Sequence, residues 1–480
     1  MPATRAVNKT FKDVTEEQRA GNHYARLVPG QTIVEIPEYQ LECGETLKNF
    51  PVAYKTWGRL NERADNVLLI CHALTGSSDV QDWWGPLLGT NKTFDPSRFF
   101  VICINFLGSP YGSCSPVSID KATGKPYGPS FPLVTVKDDI GIQKLILDSL
   151  EVKSIASVIG GSMGGMIALE YSATYNDSDY VRSVIALATS ARASAWCISW
   201  NETQRQCIFS DPNYDEGYYF ENPSGVTPKS GLSAARMTAL LTYRSRNSFE
   251  TRFGRKLPST SSIPPKETIW YPKTKDEENW LLHNEGARCT DKDSSKKSSP
   301  SLTSSPRNSS SDKPQTYFTA QSYLRYQGTK FVNRFDANCY ISISRKLDTH
   351  DITRNRVESS GIEGTPQDPL PPFLSTLQKP HLVVGIQSDG LFTYSEQQVL
   401  GEHIPNAILK ELDSPEGHDA FLLEFEIVDN YCTEFLKSNL PELFDIDEKD
   451  LFNDWEDYVV STDNGGESVF GEAEKNITNW

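Results

Sequence analysis

Between residues 67 and 187 the apolar positions fall in short unbroken runs instead of alternating with polar ones: VLLIC at 67–71, FFVICIN at 99–105, IASVI at 155–159 and VRSVIAL at 181–187. Continuous apolarity over five to seven residues predicts strands covered on both faces, as in a parallel sheet. Between these runs the period changes. From Asp138 to Leu150 the apolar residues Ile140, Ile142, Leu145, Ile146 and Leu150 share a helical face behind an acidic start, and Met163 to Tyr175 reads as a second helix. Strands alternating with such helices predict βαβ units in a doubly wound sheet. The sheet pattern returns at 381–386 (HLVVGI) and 408–412, followed by an apolar helix over 420–436. The stretch between is different. After about residue 190 the chain is rich in Trp, Tyr, Arg and Gln with helical segments such as 231–237, which predicts a helical cap inserted after a strand. Within it, from about 256 to 315, Ser, Pro, Lys, Asp and Thr dominate, and such a stretch cannot bury enough apolar surface to order itself. The expected layout is a core at 28–190, a cap at 191–375 carrying a disordered polar insert at 256–315, a second core part at 376–440 and an acidic tail at 441–480.

Composition narrows the class. The chain has 480 residues, a formal net charge of -16, and 38% hydrophobic and 23% charged residues. A diffuse acidic surface argues against nucleic acid and anionic membranes as partners, which call for concentrated basic charge. No apolar run approaches a membrane span, and the first ten residues lack the apolar core of a signal peptide. The nine cysteines include no C-x-x-C pair, so neither a disulfide framework nor a zinc site is indicated. A cytoplasmic protein in a reducing compartment is the expectation, with no metal and no permanently bound cofactor.

Candidate chemistry centres on GGSMGG at 160–165, which follows an apolar run and opens a small-residue helix. A G-x-S-x-G sequence alone is weak, but in that context it matches a nucleophile elbow, where glycines permit a sharp turn from strand to helix. Ser162 is the candidate nucleophile. Its hydroxyl needs a base within hydrogen-bond reach and a carboxylate to orient that base, in the chain order serine, acid, histidine. Downstream lie His283 in the polar insert, His350 before the last strands, His381 at a strand start and His403 in a helix-like segment. His418 alone stands in a loop after a late strand, in SPEGHD at 414–419, and is the candidate base. Asp389, at the carboxyl end of the preceding strand, is the favoured acid, with Asp413 and Glu416 as rivals so close to His418 that they would more readily shape its loop. Backbone N–H groups of Met163 and Leu74 are the candidate oxyanion donors, the second from HALTG at 72–76. His72 precedes Ser162 and reads as loop-shaping.

Taken together, GGSMGG, CHALTGSSDVQDWWGPLLG (71–89), NFLGSPYGSCSP (105–116), ATSARASAWCISWNETQRQCI (188–208), GLSAARMTALLTYRSRNSFETRFGR (231–255), GIQSDGLFTYSEQ (385–397) and SPEGHDAFLLE (414–424) resemble the homoserine O-acetyltransferases, and the insert in the cap resembles their fungal form. The resemblance spans roughly 28–437 outside the insert. It implies an α/β-hydrolase fold and transfer of acetyl from acetyl-CoA, as co-substrate, to the hydroxyl of L-homoserine through an acetyl-Ser162 intermediate, in methionine biosynthesis. By the same resemblance Arg236 and Tyr243 take part in binding the amino acid, Asp419 meets its ammonium, and a homodimer is suggested. Arg and Tyr seven residues apart would equally share one face of a structural helix. Cap cations such as Arg246 are candidates for the CoA phosphates.

Other readings stay open at this level. A serine hydrolase would use the same fold, triad and oxyanion hole. A different donor, succinyl-CoA, or a different acceptor, serine or a deacetylated antibiotic precursor, would leave the triad unchanged. A non-catalytic binding protein on the fold is a third reading, which an intact Ser162, Asp389 and His418 disfavours.

Overall fold

A computed structural model describes residues 10–257, 274–286, 317–356, 368–446 and 451–455. Besides a two-stranded hairpin at Ile119–Asp120 and Lys125–Pro126, its strands, in chain order, are β1 (Lys12–Asp13), β2 (Thr32–Gln40), β3 (Thr46–Trp57), β4 (Val67–Cys71), β5 (Phe100–Ile104), β6 (Ile155–Gly161), β7 (Val184–Leu187), β8 (His381–Ile386) and β9 (Ala407–Leu412). They form one sheet in the order β1-β2-β3-β5-β4-β6-β7-β8-β9. From β5 to β9 every neighbouring pair is parallel, whereas β1, β2 and β3 add an antiparallel edge. Every residue of β4 to β8 is buried, as unbroken apolar runs require; β9, at the edge, is mostly not. The two long strands β2 and β3 have no such run. Charged residues interleave with Ile, Val and Phe along them, because each lies in an antiparallel pair only partly covered.

Strand order reverses at β4, which has β5 on one side and β6 on the other, so the loops leaving β4 and β6 diverge and open a crevice at their carboxyl ends. Helix α1 (Val136–Ser149) begins with a capping box: Asp138 N–H donates to Thr135 Oγ1 at 3.2 Å while Thr135 N–H donates to Asp138 Oδ2 at 2.8 Å. Helix α2 (Met163–Thr174) starts at the foot of the crevice and has ten buried residues. The cap comprises α3 (Ala195–Phe209), α4 (Lys229–Tyr243), α5 (Arg246–Arg252), α6 (Thr319–Val332) and α7 (Ala337–Asp348). Two core helices follow, α8 (Tyr394–His403) and α9 (Phe425–Asn439). The apolar helix expected over 420–436 is broken at Glu424 (φ -91°, ψ 54°), whose carboxylate turns to accept from Ser414 Oγ at 2.8 Å.

Of the polar stretch at 256–315, residues 256–257 and 274–286 are described, and the latter depart from the expected disorder: Lys275–His283 is a helix with a Thr274–Glu277 capping box, and Glu285 pairs with Arg325 of α6. The rest of that expectation lies outside the described residues. On either side of it, Lys256 and Thr319 meet, Thr319 N–H donating to Lys256 O at 3.0 Å. At the start of the acidic tail, Phe452 N–H donates to Ser97 O at 2.8 Å and Trp455 Nε1 to Thr90 Oγ1 at 3.2 Å. No helix among the described residues is long and apolar enough to cross a membrane.

A fully buried ion pair ties cap to core. Lys346 of α7 and Asp139 of α1, both 0% exposed, lie 2.5 Å apart. Between them they hold both backbone groups of Leu107: its carbonyl accepts from Lys346 Nζ at 2.7 Å and its N–H donates to Asp139 Oδ1 at 2.9 Å. Such a pair is weak evidence of net stability, yet losing one partner alone costs about 3–5 kcal/mol because the other charge is then stranded.

Three histidines are buried uncharged. Burial lowers His72 to about 4, His350 to about 3 and His381 to about 4. Once unfolded, each regains an ordinary value near about 6.5 and takes up a proton that the folded chain refuses. Stability is therefore fully present above that value and falls as pH drops through the window towards 4, by up to about 4 kcal/mol per pH unit for three protons. Asp139, raised by burial to about 6, works in the opposite direction once the folded state protonates it, and burial raises Asp79, Glu170 and Asp336 too. The histidines titrate first on acidification, so the urea midpoint is expected to be clearly lower near about pH 5.5 than near about pH 7.5. An unchanged midpoint would contradict the neutral burial of these rings.

Candidate active site

Ser162 sits between β6 and α2 with φ 59° and ψ -127°, on the side of backbone space that side chains avoid. Residues are held there only where the surroundings over-determine them. Here the surroundings are explicit. Ser162 N–H donates to Leu187 O at 2.9 Å, and its carbonyl accepts from Gly165 N–H at 3.0 Å and Thr189 Oγ1 at 2.6 Å. The flanking glycines permit contact that no side chain would: a Cβ on Gly160 would lie 2.1 Å from Gly164 O, and one on Gly164 would lie 2.0 Å from Cys71 O. The strand, the helix start and the end of β4 are thus pressed together, and Ser162 projects at their junction, 7% exposed.

His418 lies in the turn after β9, 3% exposed. Its Nδ1 is 2.8 Å from Asp389 Oδ2. Asp389 follows β8 and is itself held from all sides: Oδ1 accepts from the N–H groups of Leu391 (2.8 Å) and Phe392 (3.1 Å), and Oδ2 also accepts from Gln397 Nε2 (3.1 Å). Gln397, fully buried on α8, donates in addition to Phe392 O and accepts from Ile386 N–H. Of the rival acids, Asp413 is exposed, and Glu416 is turned to the cap, bonded to Arg244, Arg252 and Ser248. The imidazole packs among Phe392 (5.4 Å between centroids), Phe421 (5.7 Å) and Tyr243 (6.1 Å). Phe421 also lies against Gly161, so one ring touches both the histidine and the strand that carries the serine. The Ser162 hydroxyl makes no hydrogen bond to a described residue; contacts of this kind commonly close only around substrate.

The loop after β4 borders the same space. Neither the N–H of Leu74 nor that of Met163 donates to another group among the described residues. Met163 is the first residue of α2, where four N–H groups lack helical partners and the dipole favours negative charge. His72 is wholly buried, stacked on Phe106, and bonded through Nδ1 to Ala73 O.

From the cap, Arg236 of α4 is 1% exposed, with its guanidinium 4.9 Å from the Phe331 ring and 5.4 Å from the Tyr243 ring. Tyr243, at the end of α4, bridges Arg236 and His418. Asp419 is buried with Oδ2 3.1 Å from Arg244 Nε. Burial opposes charge on Arg244, but Asp419, with Glu416 behind it, raises its pKa above the ordinary arginine value. Any ammonium reaching Asp419 shares that carboxylate with Arg244. Arg246 is exposed at the first turn of α5.

Three neighbours were not singled out in the sequence: Gln397, Arg244 and Arg334, whose Nη1 donates to Thr75 O at 3.2 Å. Gln397 lies eight residues after Asp389, and Arg244 adjoins Tyr243. Their only available signal was proximity to a candidate. Arg334 is more than 250 residues from the loop it holds, and no local pattern marks it.

Residues 66–425 match the family model described as alpha/beta hydrolase fold. The chain is 53% identical to the homoserine O-acetyltransferase of Saccharomyces pastorianus, over 99% of each chain, and 47% identical to that of Schizosaccharomyces pombe, over 98% of each. Among solved structures it resembles a homoserine O-acetyltransferase from Bacillus anthracis (TM-score 0.65, 22% identity, 85% of this chain and 97% of that one). It also resembles the acetyl esterase MekB (TM-score 0.62, 20% identity, 84% and 96%). At such identities the structures speak for the fold alone.

Proposed function

Since the chain belongs to the homoserine O-acetyltransferase family, on the α/β-hydrolase fold, we propose that it draws its acetyl group from acetyl-CoA and carries it on Ser162. The chain is an acyltransferase that moves acetyl to the hydroxyl of L-homoserine, a step of amino-acid biosynthesis. The observation that carries the mechanism is the 2.8 Å bond between His418 Nδ1 and Asp389 Oδ2, made in a turn that Tyr243 of the cap also touches.

In the first half-reaction Ser162 Oγ attacks the thioester carbonyl while His418 Nε2 takes the hydroxyl proton. Asp389 keeps the imidazole in the tautomer with its proton on Nδ1 and stabilises the imidazolium. The oxygen that becomes negative is received by the N–H groups of Leu74 and Met163, and one such donor is worth roughly 3–4 kcal/mol. As the tetrahedral carbon collapses, the C–S bond breaks and the departing sulfur takes the proton from His418. In the second half-reaction the homoserine hydroxyl gives its proton to His418 and attacks the acetyl carbon; Ser162 Oγ leaves and regains a proton.

A zwitterionic acceptor needs both signs of charge beside the base. Arg236 supplies the cation for its carboxylate, with Tyr243 beside it, and Asp419 meets the ammonium while paired with Arg244. Burial of Arg236 between two rings supports this, because a desolvated guanidinium is a stronger anion partner than an exposed one. All eight cysteines among the described residues are free thiols, which fits a reducing cytoplasm, and a homodimer is the proposed assembly.

The test is release of CoA from acetyl-CoA with and without L-homoserine. Release that depends on homoserine supports the donor and the acceptor together. Homoserine-independent release would indicate a thioesterase, and release from succinyl-CoA alone would change the donor.

A further inference from the structure

The loop after β4 holds a histidine with no part in the chemistry above. His72 is 0% exposed, out of reach of substrate, and its Nδ1 lies 2.9 Å from Ala73 O. A carbonyl oxygen only accepts, so Nδ1 carries the proton. The same oxygen accepts from Gly76 N–H at 3.0 Å. The peptide that bears it is one rigid trans plane with the N–H of Leu74 at its opposite edge, so holding the oxygen sets the direction of that N–H.

The ring is not free to turn. It stacks on Phe106 at 4.1 Å between centroids and 22° between planes, and Phe106 lies under Lys346 Nζ at 4.5 Å. Gly76 permits the loop to close on it, since a Cβ there would come within 3.0 Å of His72 Cβ and 3.2 Å of its Nδ1. Further along the loop, Arg334 of the cap donates to Thr75 O at 3.2 Å and to the Tyr111 hydroxyl at 3.0 Å. Burial, with Lys346 acting in the same direction, keeps the imidazole neutral down to about 4, so its single N–H stays on station through the neutral range.

We propose that His72 is a positioning residue of the oxyanion hole: by holding the Ala73 carbonyl, its Nδ1–H aims the Leu74 N–H at the tetrahedral oxygen. This rests on the reading of Leu74 as an oxyanion donor. His72→Phe keeps the stack on Phe106 and removes the N–H, whereas His72→Asn places an amide N–H where Nδ1 stood. The Phe variant is expected to lose on the order of 10- to 100-fold in kcat/KM for acetyl-CoA, with the KM for homoserine within about twofold, and the Asn variant to recover most of the loss.

Methaneboronic acid separates aim from mere packing, because its adduct with Ser162 places a negative oxygen in the hole without using the acceptor site. Its inhibition constant is expected to rise in His72→Phe by the same factor as kcat/KM falls, and to return in His72→Asn. Boronate affinity unchanged in the Phe variant would overturn the proposal, whatever happens to turnover. Should that variant fail to fold, His72→Leu against His72→Asn carries the same contrast. If homoserine proves not to be the acceptor, the boronate contrast still reads His72, so the two failures are distinguishable.

Discussion

Ser162→Ala is expected to lower turnover of acetyl-CoA with homoserine by on the order of 10⁵- to 10⁶-fold while leaving the fold intact. The size follows from chemistry: without Oγ there is no covalent intermediate, and a ping-pong route has no second path of comparable barrier. The intact fold follows from structure. The Ser162 hydroxyl makes no hydrogen bond to a described residue, and the turn is held by backbone groups and by Thr189, none of which the substitution removes. Intact-mass analysis after exposure to acetyl-CoA alone provides the check. The wild-type chain should gain one acetyl group, traced to the peptide containing Ser162, and the variant none. Acetylation of the variant would move the nucleophile elsewhere.

The second large effect is that of Asp389→Asn, about 10⁴-fold in kcat. The carboxylate accepts four hydrogen bonds, two on each oxygen: Leu391 and Phe392 N–H on Oδ1, His418 Nδ1 and Gln397 Nε2 on Oδ2. An asparagine must turn its NH₂ towards one of these pairs. Facing Leu391 and Phe392 it opposes two donors at once. Facing His418 it forces the proton from Nδ1 to Nε2, and an imidazole protonated on Nε2 cannot accept from the serine. Gln397 cannot relieve the conflict by flipping, because its own oxygen is committed to Ile386 N–H and its NH₂ to Phe392 O. Steady-state kinetics on the folded variant decide. A loss smaller than tenfold would return the acid's role to Glu416, which the structure instead joins to Arg244, Arg252 and Ser248.

Legibility in the sequence followed the physics of burial. Strands β4 to β8 are covered on both faces, so they appeared as apolar runs to within three residues at either end, and HLVVGI coincides with β8. Strands β2 and β3 are half-covered, and their mixed composition hid them. At the elbow, glycines were visible because backbone contact at 2.0–2.1 Å from a notional Cβ excludes every other residue. Candidate triad members could be ordered along the chain, and a place at the carboxyl end of a strand already favoured Asp389 over Asp413 and Glu416; the 2.8 Å contact of its Oδ2 with His418 Nδ1 needed three dimensions. What stayed illegible is long-range and singular: Arg334 reaching Thr75, Lys346 reaching Asp139, Arg244 lying between Asp419 and Glu416. Each is one charged side chain, Lys346 within a helix and Arg244 and Arg334 just past the ends of α4 and α6, and nothing periodic distinguishes it from a solvated neighbour.

The hydrogen bond from Thr319 N–H to Lys256 O has a bearing on how this enzyme can be altered. It brings the chain back to the point of departure, so α5 and α6 experience the chain from 257 to 318 as a closed excursion. Closing a longer excursion adds only about 0.6 kcal/mol for each doubling of its length. The joint is therefore a natural graft point, where a reporter domain, an affinity handle or a tether to a neighbouring enzyme of the pathway can be spliced in while the crevice keeps its shape. The helix at Lys275–His283, docked through Glu285 on Arg325, marks the part of the excursion that such a graft should leave in place.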